Sequence, residues 1–190
     1  MRAFVAVRIP PDVQDALAQL PRQLDAARPD VKWVGAGQFH VTLKFLDDIT
    51  PPQQLAVEAS LRRLAASEPP FSIRLEGVGA FPSLASPRVL WVGIAEGQEP
   101  LRRLAAALEQ TSLALQLRQD ARPFSAHVTI GRVRSARRLR ELADGLRACA
   151  WPPPPPWQAR SVTLFRSELS TDGSRYTVLA EVPLAGPPAA

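Results

Sequence analysis

The sequence predicts an α+β protein in which two pseudo-symmetric lobes of antiparallel sheet, with outer helices, surround a central cleft. Two observations lead to this prediction. The tetrapeptide HVTL at residues 40–43 returns almost unchanged as HVTI at residues 127–130, and these two stretches contain the only histidines. The order strand, helix, histidine strand, helix, strand also occurs twice. We therefore expect a single two-lobed domain over residues 1–186, made of duplicated halves at roughly 1–84 and 86–184, with a flexible tail at 187–190.

The first half of the sequence supplies one complete set of elements. Alternating and β-branched residues predict strands at 4–9, 31–34, 39–46 and 71–78, with a turn at 35–37. A helical stripe begins at Asp12 and is expected to end at Pro21. Thr50 is placed to cap a second helix, which has prolines in its first turn and should end before Pro69.

The second half repeats this order and adds a hairpin. The patterns predict strands at 88–94, 126–133, 161–168 and 176–182, and helices at 100–117 and 136–149. A turn at Asp172 and Gly173 should join the last two strands. The five prolines at 152–156 favour a stiff surface connector over a ligand for a proline-binding domain. Trp33 and Trp91 are assigned to the core.

Composition limits the class of protein and of partner. The formal charge of +5 comes almost wholly from arginine, because Lys32 and Lys44 are the only lysines. An arginine surplus suits a phosphate-bearing partner, although GC-rich codon usage would explain it equally well. The single Cys149 rules out an internal disulfide, and two histidines supply a zinc site poorly. We expect a cytoplasmic monomer with no metal, no cofactor and no membrane contact.

The repeated motif has a chemical meaning that a lone histidine would lack. On a strand, the histidine and the threonine two residues later share a face, while Val41 and Val128 take the other face. A single such histidine is more often a structural hydrogen-bonding residue. Two in the same frame favour one site with a neutral and a protonated imidazole, which suits acid and base catalysis at phosphorus. The threonine hydroxyls can then donate to the non-bridging oxygens.

These residues resemble the two-histidine (2H) phosphoesterases, which carry paired HxTx motifs, and within them the RNA 2′,3′-cyclic phosphodiesterases, also called 2′-5′ RNA ligases. The resemblance spans nearly the whole chain, including HVTLKFLDD, GAFPS, RVLWVGI and RPFSAHVTIGRV. It implies hydrolysis of the 2′,3′-cyclic phosphate of RNA ends or nucleotides to a 2′-phosphomonoester. It also implies that His40 is the proton donor, His127 the proton acceptor, and Thr42 and Thr129 the phosphate ligands, with possible reversal as ligation.

The same resemblance places Phe45 and Arg132 against the nucleotide. Each follows its histidine by five residues, an odd offset that a regular strand would turn away from the histidine face. We therefore expect a bulge or a strand end in each motif, for which Gly131 is suited in the second. Arg166 and Tyr176 are further candidates for substrate contact. The arginines at 134, 137, 138 and 140 form either an RNA-binding patch or a solvated helix start.

Two other functions are compatible with the sequence. A non-catalytic RNA-binding module would explain the charge but not the paired frames. A 2H phosphoesterase acting on another phosphodiester, such as ADP-ribose cyclic phosphate or a 2′-5′ oligonucleotide, would use the same motif. The motif does not separate the two 2H enzymes from each other. Turnover of 2′,3′-cyclic nucleotides in the presence of EDTA excludes a binding module, which would give none, and a metal enzyme, which would lose it.

Overall fold

The structure is a computed structural model that describes residues 1–24, 31–135, 137–170 and 173–187. Within these residues, nine strands form one antiparallel sheet, accompanied by five helices, which is the predicted α+β architecture. The strands are β1 Arg2–Arg8, β2 Val31–Trp33, β3 His40–Asp48, β4 Phe71–Ser83, β5 Ser86–Glu96, β6 His127–Val133, β7 Trp157–Ala159, β8 Ser161–Ser170 and β9 Gly173–Pro183. The helices are α1 Pro11–Leu17, α2 Leu20–Leu24, α3 Pro51–Ser67, α4 Gln98–Ala114 and α5 Leu139–Ala148.

The two histidine strands lie at the centre of the sheet. The strand order is β7-β4-β5-β6-β3-β1-β8-β9, and β2 pairs with the free end of β6. β3 and β6 are joined through the pair Val41 and Val128, after which β2 takes over that edge of β6 at Val31 to Trp33. The sheet is therefore narrow at its middle, and it divides there into two lobes that face a common cleft.

Each lobe contains strands from both halves of the sequence. β4 comes from the first half but pairs with β5 and β7, whereas β8 and β9 come from the second half and extend the β1 side. The lobes are thus interlinked in space, and the division into duplicated halves at 1–84 and 86–184 stays a prediction about the sequence.

The helices cover the sheet face that is opposite the two histidines. Alternate strand residues point into this layer, so that Val41, Leu43, Val128 and Ile130 are all buried, as their alternation predicts. Thr50 caps α3 as expected: its hydroxyl accepts from the backbone N–H of Gln53 at 3.4 Å, and the Gln53 side chain accepts from the Thr50 N–H at 2.9 Å.

Beyond shifts of a few residues at the ends of other elements, the structure corrects three expectations. Pro21 does not end a helix but lies in the first turn of α2, where a missing N–H leaves no hydrogen bond unmade. The helix expected from residue 136 begins at Leu139. The proline run leads first into the unforeseen edge strand β7, which pairs with Phe71–Ile73 of β4. The predicted turn residue Asp172 and the tail at 188–190 lie outside the described residues.

Candidate active site

The two HxT motifs meet across the central strand pair. Because Val41 lies opposite Val128 in an antiparallel register, His40 is the neighbour of Thr129 and Thr42 is the neighbour of His127. Both valines are fully buried on the helix side, so all four polar side chains stand on the cleft side. The arrangement gives two equivalent histidine and threonine pairs, each spanning the junction between β3 and β6, one on either side of the Val41–Val128 pair.

Both histidine strands carry a bulge at the same distance from the histidine. In β3 the register against β1 shifts between Thr42 and Lys44, and in β6 the register against β5 shifts between Thr129 and Gly131. The burial patterns of the two strands are consequently the same over six residues, with two buried residues in succession after the threonine. The expectation of a bulge in each motif is confirmed, and it returns the fifth residue after each histidine to the cleft.

Gly131 has a different function from the one predicted. The positive-φ glycines of the described residues do not include Gly131, so the bulge does not depend on its backbone freedom. A Cβ atom at this position would lie 2.8 Å from Val31 Cγ1 and 2.9 Å from Trp33 Cε3. Gly131 is therefore required for the close packing of β2 over β6.

His40 is held in an aromatic environment with a defined tautomer. Its Nδ1 lies 2.8 Å from the carbonyl oxygen of Gln38, which can only accept a hydrogen bond, so Nδ1 carries a proton. Ring centroids of Phe4 and Tyr176 lie 4.8 and 5.3 Å from the imidazole. Gln38 is itself held by a 2.6 Å hydrogen bond from its side-chain amide to the carbonyl of Ser174. Nε2 is thereby left as the titrating atom.

His127 repeats this arrangement in a more open setting. Its Nδ1 lies 2.7 Å from the carbonyl oxygen of Ser125, again two residues before the histidine. One aromatic ring, that of Phe81, meets the imidazole edge to face with centroids 5.0 Å apart. Both histidines therefore have Nε2 available for proton transfer, and both rings are oriented by a backbone carbonyl.

Burial lowers the pKa of both histidines below the ordinary value of 6.5. For His40, desolvation is the largest cause, opposed by the hydrogen bond to Gln38 and reinforced by the charge of His127. For His127, desolvation again lowers the pKa most, the hydrogen bond to Ser125 opposes it, and the charge of Arg132 reinforces it. Both imidazoles are consequently neutral in the free protein at neutral pH.

A cavity of about 330 Å³ lies on the cleft face, at the lower end of the range for small-molecule sites. Of the sequence-predicted residues, His40, Thr42 and Thr129 line it, as do three of the four candidate substrate contacts. The lining residues in this set are His40, Thr42, Phe45, Thr129, Arg132 and Tyr176. His127 is not part of the lining, and the strand register places it beside Thr42 at the margin of the cavity.

Arg166 is the candidate that the structure does not bring to this cavity. Its neighbour Ser167 lines the cavity, and alternation along β8 turns Arg166 to the other side. There its guanidinium pairs with Glu168 Oε1 at 2.7 Å. The geometry does not favour a substrate contact for Arg166, which stays an untested prediction.

The sequence interpretation missed several aromatic residues of the cleft face. Phe4 is paired with both Phe45 and Phe165 across neighbouring strands, so the three rings share a face. Trp91, assigned to the core from sequence, is opposite Thr129 and lies over Gly79 on the cleft face. Because β5 is apolar on both faces, its sequence does not reveal which face is inside.

Lys44 is buried directly behind the first histidine strand. Its side chain is only 1% exposed, and its ammonium pairs with Glu109 Oε2 at 2.6 Å and Asp120 Oδ2 at 2.8 Å. Glu109 belongs to α4, and Asp120 belongs to the segment that leads from α4 to His127. Lys44 therefore joins the first histidine strand to the chain that precedes the second.

Over the described parts of the chain, no three His, Cys, Asp or Glu side chains are grouped so that they could hold a metal ion. No described helix has the length and apolar character needed to cross a bilayer.

Comparisons with known proteins identify the family of the chain. The model of the family described as LigT like phosphoesterase matches the chain twice, at residues 7–91 and 92–176. An RNA 2′,3′-cyclic phosphodiesterase of Aquifex aeolicus is 31% identical over 189 residues, which is 98% of each chain. A crystal structure of a Thermus thermophilus protein superposes with a TM-score of 0.80 at 31% identity, covering 98% of this chain and 99% of the other.

A solved relative also carries a nucleotide. The crystal structure of Escherichia coli LigT complexed with 3′-AMP has a TM-score of 0.76 and 26% identity, covering 96% of this chain and 97% of that one. The two matches of the family model cover nearly the whole chain, and each contains one histidine motif. The protein therefore belongs to the LigT-like phosphoesterase family of two-histidine enzymes.

Proposed function

We propose that the protein hydrolyses the 2′,3′-cyclic phosphate of RNA ends or nucleotides to a 2′-phosphomonoester by acid and base catalysis with His40 and His127. The observation that supports it most is the matched orientation of the two imidazoles. Each donates Nδ1–H to a carbonyl two residues earlier, which frees Nε2 for the substrate. The names of relatives such as the Aquifex aeolicus enzyme point to the same substrate class.

Acid and base catalysis follows from placing the cyclic phosphate between the two rings. His127 Nε2 takes a proton from water as the water oxygen attacks phosphorus, and His40 Nε2 gives a proton to O3′ as the P–O3′ bond breaks. Binding the phosphate brings negative charge next to both rings and raises the pKa of each imidazole, which favours the protonated form of His40. With a 5′-hydroxyl in place of water, the same groups would join two RNA ends: His127 takes the proton of the 5′-hydroxyl as its oxygen attacks phosphorus, and His40 protonates the departing O3′, which leaves a 2′-5′ bond.

Thr42 and Thr129 are proposed as the ligands of the phosphoryl oxygens. Each is the cross-strand neighbour of the opposite histidine, so the two hydroxyls and two imidazoles surround one point of the cleft. As charge builds on the non-bridging oxygens, hydroxyl donors stabilise the transition state more than the ground state. Arg132 and Tyr176 line the same cavity and are proposed to contact the nucleotide, with Phe45 available for base stacking.

Turnover of a 2′,3′-cyclic nucleotide in the presence of EDTA tests this proposal. Phosphorus NMR should show a 2′-monophosphate product, because only the oxygen opposite the attacking water can leave. Thr42→Ala and Thr129→Ala should each slow turnover by about tenfold or more without changing the product. Thr50→Ala, which removes a helix cap that does not line the cavity, is the matched control. A 3′-monophosphate product would reverse the roles of the histidines, and no turnover of any cyclic nucleotide would refute the substrate class.

A further inference from the structure

The two ends of the pseudo-symmetric cleft differ in their charged residues. In the frame of the histidine motifs, Phe45 and Asp47 stand five and seven residues after His40. Arg132 and Arg134 occupy the same two places after His127. One end of the cleft thus carries an aromatic ring and a carboxylate, and the other carries two arginines.

The arginine end is extended by the neighbouring strand. Lys32 of β2 lies opposite Arg132 in the antiparallel register, so both side chains share the cleft face. Val31 and Trp33, on either side of Lys32, pack on the helix side against Gly131. Arg134 is exposed and follows Arg132 by two residues, about 6.6 Å along an extended chain. We name Lys32, Arg132 and Arg134 the basic track.

The cations of the basic track differ from the other cations near the cleft. Among the described residues, no carboxylate lies within ion-pair distance of Lys32, Arg132 or Arg134, and residues 121–140 contain no Asp or Glu at all. At the other end, Arg2 and Arg118 lie 3.9 and 2.9 Å from Asp47. Among the described residues, the cations are therefore paired with a carboxylate at the Asp47 end of the cleft and unpaired along the basic track.

We infer that the basic track binds the backbone of the single-stranded RNA that precedes the cyclic phosphate, so that RNA ends are better substrates than cyclic mononucleotides. Cations without a described carboxylate partner, in line with the cavity, attract successive phosphates, whereas Arg2 and Arg118 at the opposite end are already paired with Asp47. The terminal nucleotide then takes the aromatic end near Phe45. This inference rests on the proposed function and adds the direction in which the strand leaves the site.

The test compares two substrates with the same reacting group. A cyclic mononucleotide reaches only the cavity, whereas a single-stranded RNA hexamer with a 2′,3′-cyclic phosphate also covers the basic track. We expect kcat/KM for the hexamer to exceed that for the mononucleotide and to fall more steeply with salt. The double variant Lys32→Gln/Arg134→Gln should lower kcat/KM for the hexamer about five- to tenfold and leave the mononucleotide within about twofold. For this variant, the slope of log(kcat/KM) for the hexamer against log salt concentration should become shallower by about 1.4, or about 0.7 for each lost phosphate contact.

A charge-matched variant controls for net charge alone. Arg62→Gln/Arg102→Gln removes the same two charges from α3 and α4, where each arginine already pairs with a glutamate. This variant should leave kcat/KM for both substrates nearly unchanged. Equal salt slopes for hexamer and mononucleotide in the wild type would overturn the inference, and so would an equal loss on both substrates in Lys32→Gln/Arg134→Gln.

Failure of the proposed function would give a different result from failure of the basic track. If no cyclic nucleotide is hydrolysed, binding of a fluorescent RNA hexamer ending in a 2′-phosphate still measures the basic track. Weaker binding by Lys32→Gln/Arg134→Gln than by Arg62→Gln/Arg102→Gln would support the track without the hydrolase. Equal binding by the two double variants would refute it.

Discussion

Replacing the buried Lys44 by Met should destabilise the protein by about 2 to 3 kcal/mol. Removing one partner of a buried ion pair costs about 3 to 5 kcal/mol because the remaining charge is left uncompensated. Here the ammonium is 1% exposed, but Glu109 and Asp120 are 30% and 37% exposed, so water partly solvates the two carboxylates that remain. The cost should therefore fall below that range, while the methionine keeps most of the apolar packing of the lysine stem.

Urea unfolding followed by circular dichroism measures this loss. With a slope of about 2 kcal/mol per molar urea, the midpoint should fall by about 1 to 1.5 M. Arg147→Met on α5 is the matched control, because its exposed pair with Asp144 should contribute less than about 1 kcal/mol. The triple variant Lys44→Met/Glu109→Gln/Asp120→Asn should recover part of the loss, since it leaves no unpaired charge. A shift for Lys44→Met no larger than the control would refute the ion-pair interpretation.

Three further predictions concern the site itself. His40→Ala and His127→Ala should each remove most activity with the fold retained, and the double variant should be little worse than either, because both rings act in one transition state. Near-wild-type turnover by either single variant would disprove the assignment. Since the pKa of both imidazoles is lowered in the free protein, the pH optimum of kcat/KM should lie below 6.5, and that of kcat should lie higher once the phosphate anion is bound; a flat profile would contradict this. Gly131→Val should lower the free energy of unfolding by about 1 to 3 kcal/mol, because the added side chain displaces Val31 and Trp33. An unchanged midpoint of urea unfolding would contradict the packing role of Gly131.

The catalytic frame was predictable because it depends on short-range patterns. The period of two in a strand placed each histidine with its threonine and each valine in the core, and the structure agrees. The two bulges were predicted with the help of the family resemblance, which places Phe45 and Arg132 against the nucleotide: these residues could reach the cleft only if one residue was inserted in each strand.

Long-range contacts were not predictable in the same way. A charged residue such as Lys44 is normally exposed, and its burial depends on Glu109 and Asp120, which are far away in the sequence. Trp91 was assigned to the core because β5 is apolar throughout, yet its register with Thr129 places it on the cleft face. The order of the strands, with β8 and β9 beside β1, likewise follows from packing between distant segments.

The bulge explains why the two histidine motifs differ at their fourth following residue. Inserting one residue after the threonine turns two successive side chains toward the helices, and the second of these positions is Lys44 in β3 and Gly131 in β6. In β6 the neighbouring strand β2 pairs with this position, and the side chains of Val31 and Trp33 cover it, so that only a hydrogen atom fits there. In β3 no described strand takes that place, and the longer side chain of Lys44 reaches the carboxylates beyond. The same backbone irregularity therefore imposes a glycine on one strand and permits a buried cation on the other, and in both strands it turns the fifth residue after the histidine toward the cleft.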